Sequence, residues 1–149
     1  MKSLNHQLFE NLLGRNFAEV RRLGPLARAD QRATATMGRM ATELLYRLAM
    51  MRFGPMPQLD EVCQFLITPR EPVARPISLV DGEAVLRAAL GEPEIARGMG
   101  IRAKMAAVNS LVVYLNDELR LAGAAVDTLL DEIEAHCLDP ANRNVDRLG

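Results

Sequence analysis

Tryptophan is absent from the 149 residues, and only two tyrosines and four phenylalanines are present. A core this poor in rings must be filled by Leu, Val, Ile, Ala and the eight methionines, a palette that suits helix packing better than β-sheets. Cysteine is nearly missing too. Cys63 and Cys137 stand alone without Cys-x-x-Cys spacing, so neither a disulfide framework nor a zinc site is expected. Both read as small core residues. No stretch approaches the ~18–20 consecutive apolar residues of a membrane span, and the first residues lack the apolar run of a signal peptide. The expectation is a cytoplasmic protein with no membrane partner.

Lysine is scarce, at Lys2 and Lys104; the other sixteen basic residues are arginine. The net charge of −1 conceals a gradient. Residues 1–58 carry nine Arg/Lys against four Asp/Glu, whereas residues 105–149 carry three against eight. Such a chain is suited to bringing its two ends together within one bundle, or to pairing head to tail between copies.

What is there in quantity is helical periodicity. Ser3 precedes a run of Leu4, Leu8, Phe9, Leu12 and Leu13, with Gly14 as a stop. A short turn carrying Phe17, Val20 and Leu23 is expected to end at Gly24-Pro25. Asp30 caps a long helix reaching Phe53, closed by Gly54-Pro55. Its stripe is Met37, Met40, Leu44, Leu48 and Met51, while Arg39, Glu43 and Arg47 are spaced for a surface charge ladder. Residues 58–67 form a helix with Leu59, Val62, Cys63 and Leu66 inward. The prolines from Pro69 to Pro76 then enforce an extended connector. Asp81 opens a helix to Leu90, and a helical turn follows Pro93. Between residues 101 and 121, Ile101, Met105, Val108, Val112, Leu115 and Leu119 align, with small apolar residues opposite. That helix should be central. Val126, Leu129, Leu130, Ile133 and Cys137 mark a last helix ending at Asp139-Pro140, and residues 139–149 are expected to fray. The fold class is therefore all-α, one compact bundle of about five to seven helices spanning residues 1–149.

Chemistry-bearing patterns are few. There is no Gly-x-Ser-x-Gly, no phosphate-cradling glycine loop and no Glu-x-x-His of the kind a di-metal bundle uses. His6 with Glu10, and Glu132 with His136, are four apart, and both histidines are expected to be partly exposed. No catalytic, metal or cofactor site is assigned. Pro69 and Pro72 have the Pro-x-x-Pro spacing that aromatic-lined modules bind, though in a globular chain such spacing is far more often a stiff connector.

Two surfaces remain. The long helix carries Arg32, Arg39, Tyr46, Arg47 and Met50 on one side, residue types enriched at protein interfaces. Residues 94–101 are similar to the turn region of helix-turn-helix DNA-binding proteins. Ala96 stands four positions before Gly100, with Met99 and Ile101 beside that glycine. The resemblance implies that residues 94–115 enter a DNA groove, with Arg97, Arg102, Lys104 and Ser110 as contacts. The first expectation is a non-catalytic protein–protein interaction or assembly module, self-associating or bound to another protein. A DNA-binding regulator is the alternative. A small-molecule binder or enzyme with a pocket between helices stands third.

Overall fold

A computed structural model describes residues 1–73 and 76–149. Among these described residues there are seven α-helices: α1 (Leu4–Leu13), α2 (Phe17–Ala29), α3 (Gln31–Phe53), α4 (Leu59–Ile67), α5 (Leu79–Ala89), α6 (Ile101–Leu119) and α7 (Ala124–Leu138). Single 3-10 turns occupy Pro93–Ala96 and Pro140–Asn142, and no strand occurs among the described residues. None of the described helices is long and apolar enough to cross a membrane.

Local chemistry explains the ends. The Ser3 hydroxyl accepts from the His6 backbone N–H, and the Asp30 carboxylate accepts from that of Ala33, satisfying groups that a helix start leaves open. Gly54, at φ 74°, closes α3 in a conformation that a side chain would oppose. Asn116 performs the equivalent task after α6. Its amide donates to the Leu13 and Leu121 carbonyls and accepts from the Leu121 N–H, holding Arg120 at φ 58° where the chain turns toward α7.

At the centre, α3 and α6 pack on each other, and α1, α2, α5 and α7 surround α3. Met40, Leu44, Leu45 and Leu48 of α3 meet Val108, Leu111, Val112 and Leu115 of α6 in one fully buried core. Between Ala107 and Asn116 the buried residues of α6 point in every direction around its axis, so the central helix is apolar on both sides. The inward stripe of α7 is the one its sequence specifies, Val126, Leu129, Leu130, Ile133 and Cys137.

Several expectations are corrected. Pro25 does not stop α2, which runs on to Ala29. Leu23 and Ala27 are buried on either side of it, and the Arg21 carbonyl it leaves without a donor lies on the exposed side. In α4 the buried residues are Val62 and Phe65, not Cys63, which is exposed. Phe65 wins because its ring meets Phe53 edge to face at 5.5 Å. Met51 of α3 and Ile101 of α6 likewise stand out from the surface rather than completing their stripes.

Residues 139–149 are not frayed. Leu148 is 2% exposed, and the Arg147 guanidinium sits 3.7 Å from the centre of the Tyr46 ring while bonding to Glu43. The connector after α4 is also pinned. Arg70 lies over the Phe65 and Tyr114 rings and pairs with Glu118, and Arg15 donates to the Glu71 carbonyl. The expectation of extended chain at Ala74 and Arg75 lies outside the described residues.

Candidate functional site

Four helices bound an apolar groove of about 660 Å³. Leu8 and Leu12 of α1, Val20 of α2, Met37 and Ala41 of α3, and Met105 of α6 line it. Ile101, 70% exposed, forms part of its mouth. On α3, Gly38 opens onto the groove, and a Cβ at that position would meet nothing within 4 Å. Its only charged lining residues are Arg21 and Arg28. An apolar floor with two guanidinium groups and no carboxylate favours an occupant that is apolar in its middle and acidic at its edge.

A second surface has the opposite character. Leu59, Cys63 and Ile67 repeat every fourth residue along α4 and are all exposed, Leu59 by 53% and Ile67 by 57%. Asp60, Glu61 and Gln64, also exposed, flank them. The helix therefore has two apolar faces. One packs inward through Val62 and Phe65, and the other meets solvent beside two carboxylates.

Most of the residues that the sequence put forward on α3 point away from the groove, since Arg39, Tyr46 and Met50 fall roughly 80–180° around the axis from Met37, Gly38 and Ala41. Arg32 is exposed, whereas Arg39, Tyr46, Arg47 and Met50 are half-buried. Arg32 and Met50 are separated by about 27 Å of helix, so the set makes no single patch. Tyr46 is covered by the tail through Arg147, and Arg47 is turned to Glu43 at 3.2 Å.

Glu43 is the residue most misplaced by its sequence setting. It is 3% exposed and accepts from Arg47 and Arg147, with His136 Nε2 3.8 Å away. Burial pushes its carboxyl up, but the hydrogen bond and charge of Arg147, then Arg47 and His136, hold it below the ordinary glutamate value. The surface ladder thus becomes a buried latch, with no Arg39 contact in it.

His6 is corrected in the same way. It is 1% exposed, with Nε2 3.0 Å from Asp127 Oδ1 and Nδ1 3.2 Å from Asp131 Oδ1. Glu10 and Lys2 complete the cluster, the Lys2 ammonium standing 2.8 Å from Glu10 and 3.0 Å from Asp127. Hydrogen bonds from His6 and then Lys2 hold the Asp127 carboxyl below its usual value.

The residues implied by the helix-turn-helix resemblance do not share one accessible face. Arg97 and Arg102 are exposed and Lys104 is half-buried, but Ser110 is 3% exposed in the core. Residues 93–96 form one 3-10 turn rather than a first helix, and Gly100 is extended at φ −64°, ψ 148°.

Compared with protein-family models, with curated proteins and with solved structures, the chain matches none of them.

Proposed function

We propose that this chain is a non-catalytic assembly module that self-associates, the groove of one copy receiving the exposed face of α4 from another. The observation that carries this reading is the pair of complementary surfaces on one chain. An apolar groove bordered by Arg21 and Arg28 faces a helix whose uncovered stripe of Leu59, Cys63 and Ile67 is bordered by Asp60 and Glu61. An amphipathic helix laid in an apolar groove is a recurrent mode of recognition, with anchors spaced three or four residues apart. The two surfaces cannot meet within one chain. The groove lies beside Gly38, and α4 begins beyond the far end of α3, about 22 Å along that helix. The contact is therefore between different surfaces of two copies, a geometry that gives closed rings or open chains according to the rotation between them.

A nine-residue helix offers a modest area. Interfaces under ~1,200 Å² belong to weak or transient encounters, so association should depend on concentration. Two unpaired thiols, one of them exposed, are in keeping with a cytoplasmic setting.

Sedimentation or light scattering over a concentration series tests the reading. Gly38→Leu sets an aliphatic side chain in the groove at a position where a Cβ meets nothing within 4 Å, and leucine suits a helix better than glycine, so it should abolish association while leaving the fold at least as stable. R21E/R28E and D60K/E61K should each weaken association, and mixing the two variants should restore it. A protein that stays monomeric at high micromolar concentration removes the self-association reading.

A further inference from the structure

The His6 cluster carries chemistry that the assembly reading does not use. Both ring nitrogens face a carboxylate, Asp127 at 3.0 Å and Asp131 at 3.2 Å. A neutral imidazole has one N–H to donate. Only the Nε2 contact with Asp127 has hydrogen-bond geometry, while Asp131 faces Nδ1 as a nearby charge. The surroundings call for a cation. Glu10, Asp127 and Asp131 bring three negative charges, and Lys2 returns one. Two remain unbalanced around a side chain that is 1% exposed.

We infer that His6 Nε2, Glu10 and Asp127 form a binding site for one divalent transition-metal ion, with zinc the best match. Their ligand atoms all lie within 4.8 Å of one another, a spread that one ion can bridge with bonds of about 2.0–2.2 Å after small side-chain movements. One imidazole and two carboxylates suit zinc or its neighbours better than calcium or magnesium, which prefer all-oxygen shells. Asp131 is a positioning residue. It stands 3.2 Å from Nδ1, the place the outer carboxylate takes in histidine–metal sites, where it would accept from Nδ1–H once an ion occupies Nε2. Lys2 is an internal competitor: its ammonium touches both carboxylates, but its side chain is 44% exposed and on a flexible stem, so it can withdraw. Since Glu10 is on α1 and Asp127 on α7, a bound ion ties the two helices together.

The test uses the full chain stripped of metal, titrated calorimetrically with zinc sulfate near neutral pH and melted with and without the ion. One ion per chain and a raised melting temperature are expected. Lys2→Gln should tighten binding several-fold, His6→Gln should weaken it by about tenfold or more, and Asp131→Asn by about tenfold. Glu10→Gln, at a part-exposed position, serves if His6→Gln unfolds, and should also weaken binding. Cobalt(II) in place of zinc should give weak visible bands without thiolate charge-transfer absorption. The inference is overturned if neither the parent nor Lys2→Gln binds zinc. It is equally overturned if His6→Gln and Glu10→Gln bind as the parent does, or if cobalt reports a thiolate. None of these results bears on self-association, which Gly38→Leu tests separately.

Discussion

Removing the Arg147 side chain should unlatch the tail from the bundle at a measurable cost. Arg147 Nε is 3.0 Å from Glu43 Oε2 and its Nη2 is 3.4 Å from Oε1, while its guanidinium covers the Tyr46 ring. Hydrogen bonds to a charged group contribute about 1.5–3 kcal/mol, and a partly exposed cation–π contact about 0.5–1 kcal/mol. Glu43 keeps Arg47 at 3.2 Å, so its charge is not left wholly unpaired. R147A should therefore cost about 2–3 kcal/mol, or a fall of about 5–10 °C in melting temperature for a domain of this size. In an E43Q background the same change should cost about 1 kcal/mol, giving a coupling of roughly 1–2 kcal/mol in the double-mutant cycle. Thermal melts followed by circular dichroism supply all four values. The pH dependence has a definite sign. A carboxyl whose folded pKa is lowered contributes stability above the ordinary value of 4.5 and loses it as pH falls through the folded value. The stability gap between the parent and E43Q should close across that acid range. An R147A protein within about 0.5 kcal/mol of the parent, the usual range of plain surface changes, would refute the latch.

Two further outcomes follow from the core and the thiols. Asn116→Ala removes three hydrogen bonds at the junction of α1, α6 and α7, leaves the Leu13 carbonyl unpaired, and should cost about 1–3 kcal/mol in denaturant unfolding. A thiol-reactive chromophore should titrate Cys63 at once. Cys137 should react only on unfolding, because it is 4% exposed and burial pushes its thiol up; two fast thiols would contradict the packing of α7.

Much of the architecture was legible because it is written in short-range chemistry. Ser3, Asp30 and Gly54 mark helix ends through contacts within four residues, and the α7 stripe needs only its own period. The polar clusters were not legible, because their partners are remote. Glu43 looks like a rung on a solvated ladder until Arg147, 104 positions away, arrives beside it. His6 lies 121 positions from Asp127. Cys63 and Phe65 of α4 show the same limit in the core: period alone admits two inward faces, and the Phe53 ring decides between them. The groove is lined by residues from four helices, a juxtaposition that no spacing within one of them announces.

Because α3 is flanked by α1, α2, α5, α6 and α7, none of these five can lift away without wetting its surface. Backbone amides in the middle of α3 should accordingly exchange with deuterated solvent last, and only through opening of the whole molecule. By contrast α4 leans chiefly on α5 and the Phe53 ring, so its amides should exchange through a smaller, local opening. The helix that we propose docks on a second copy is thus also one held by few contacts to its own.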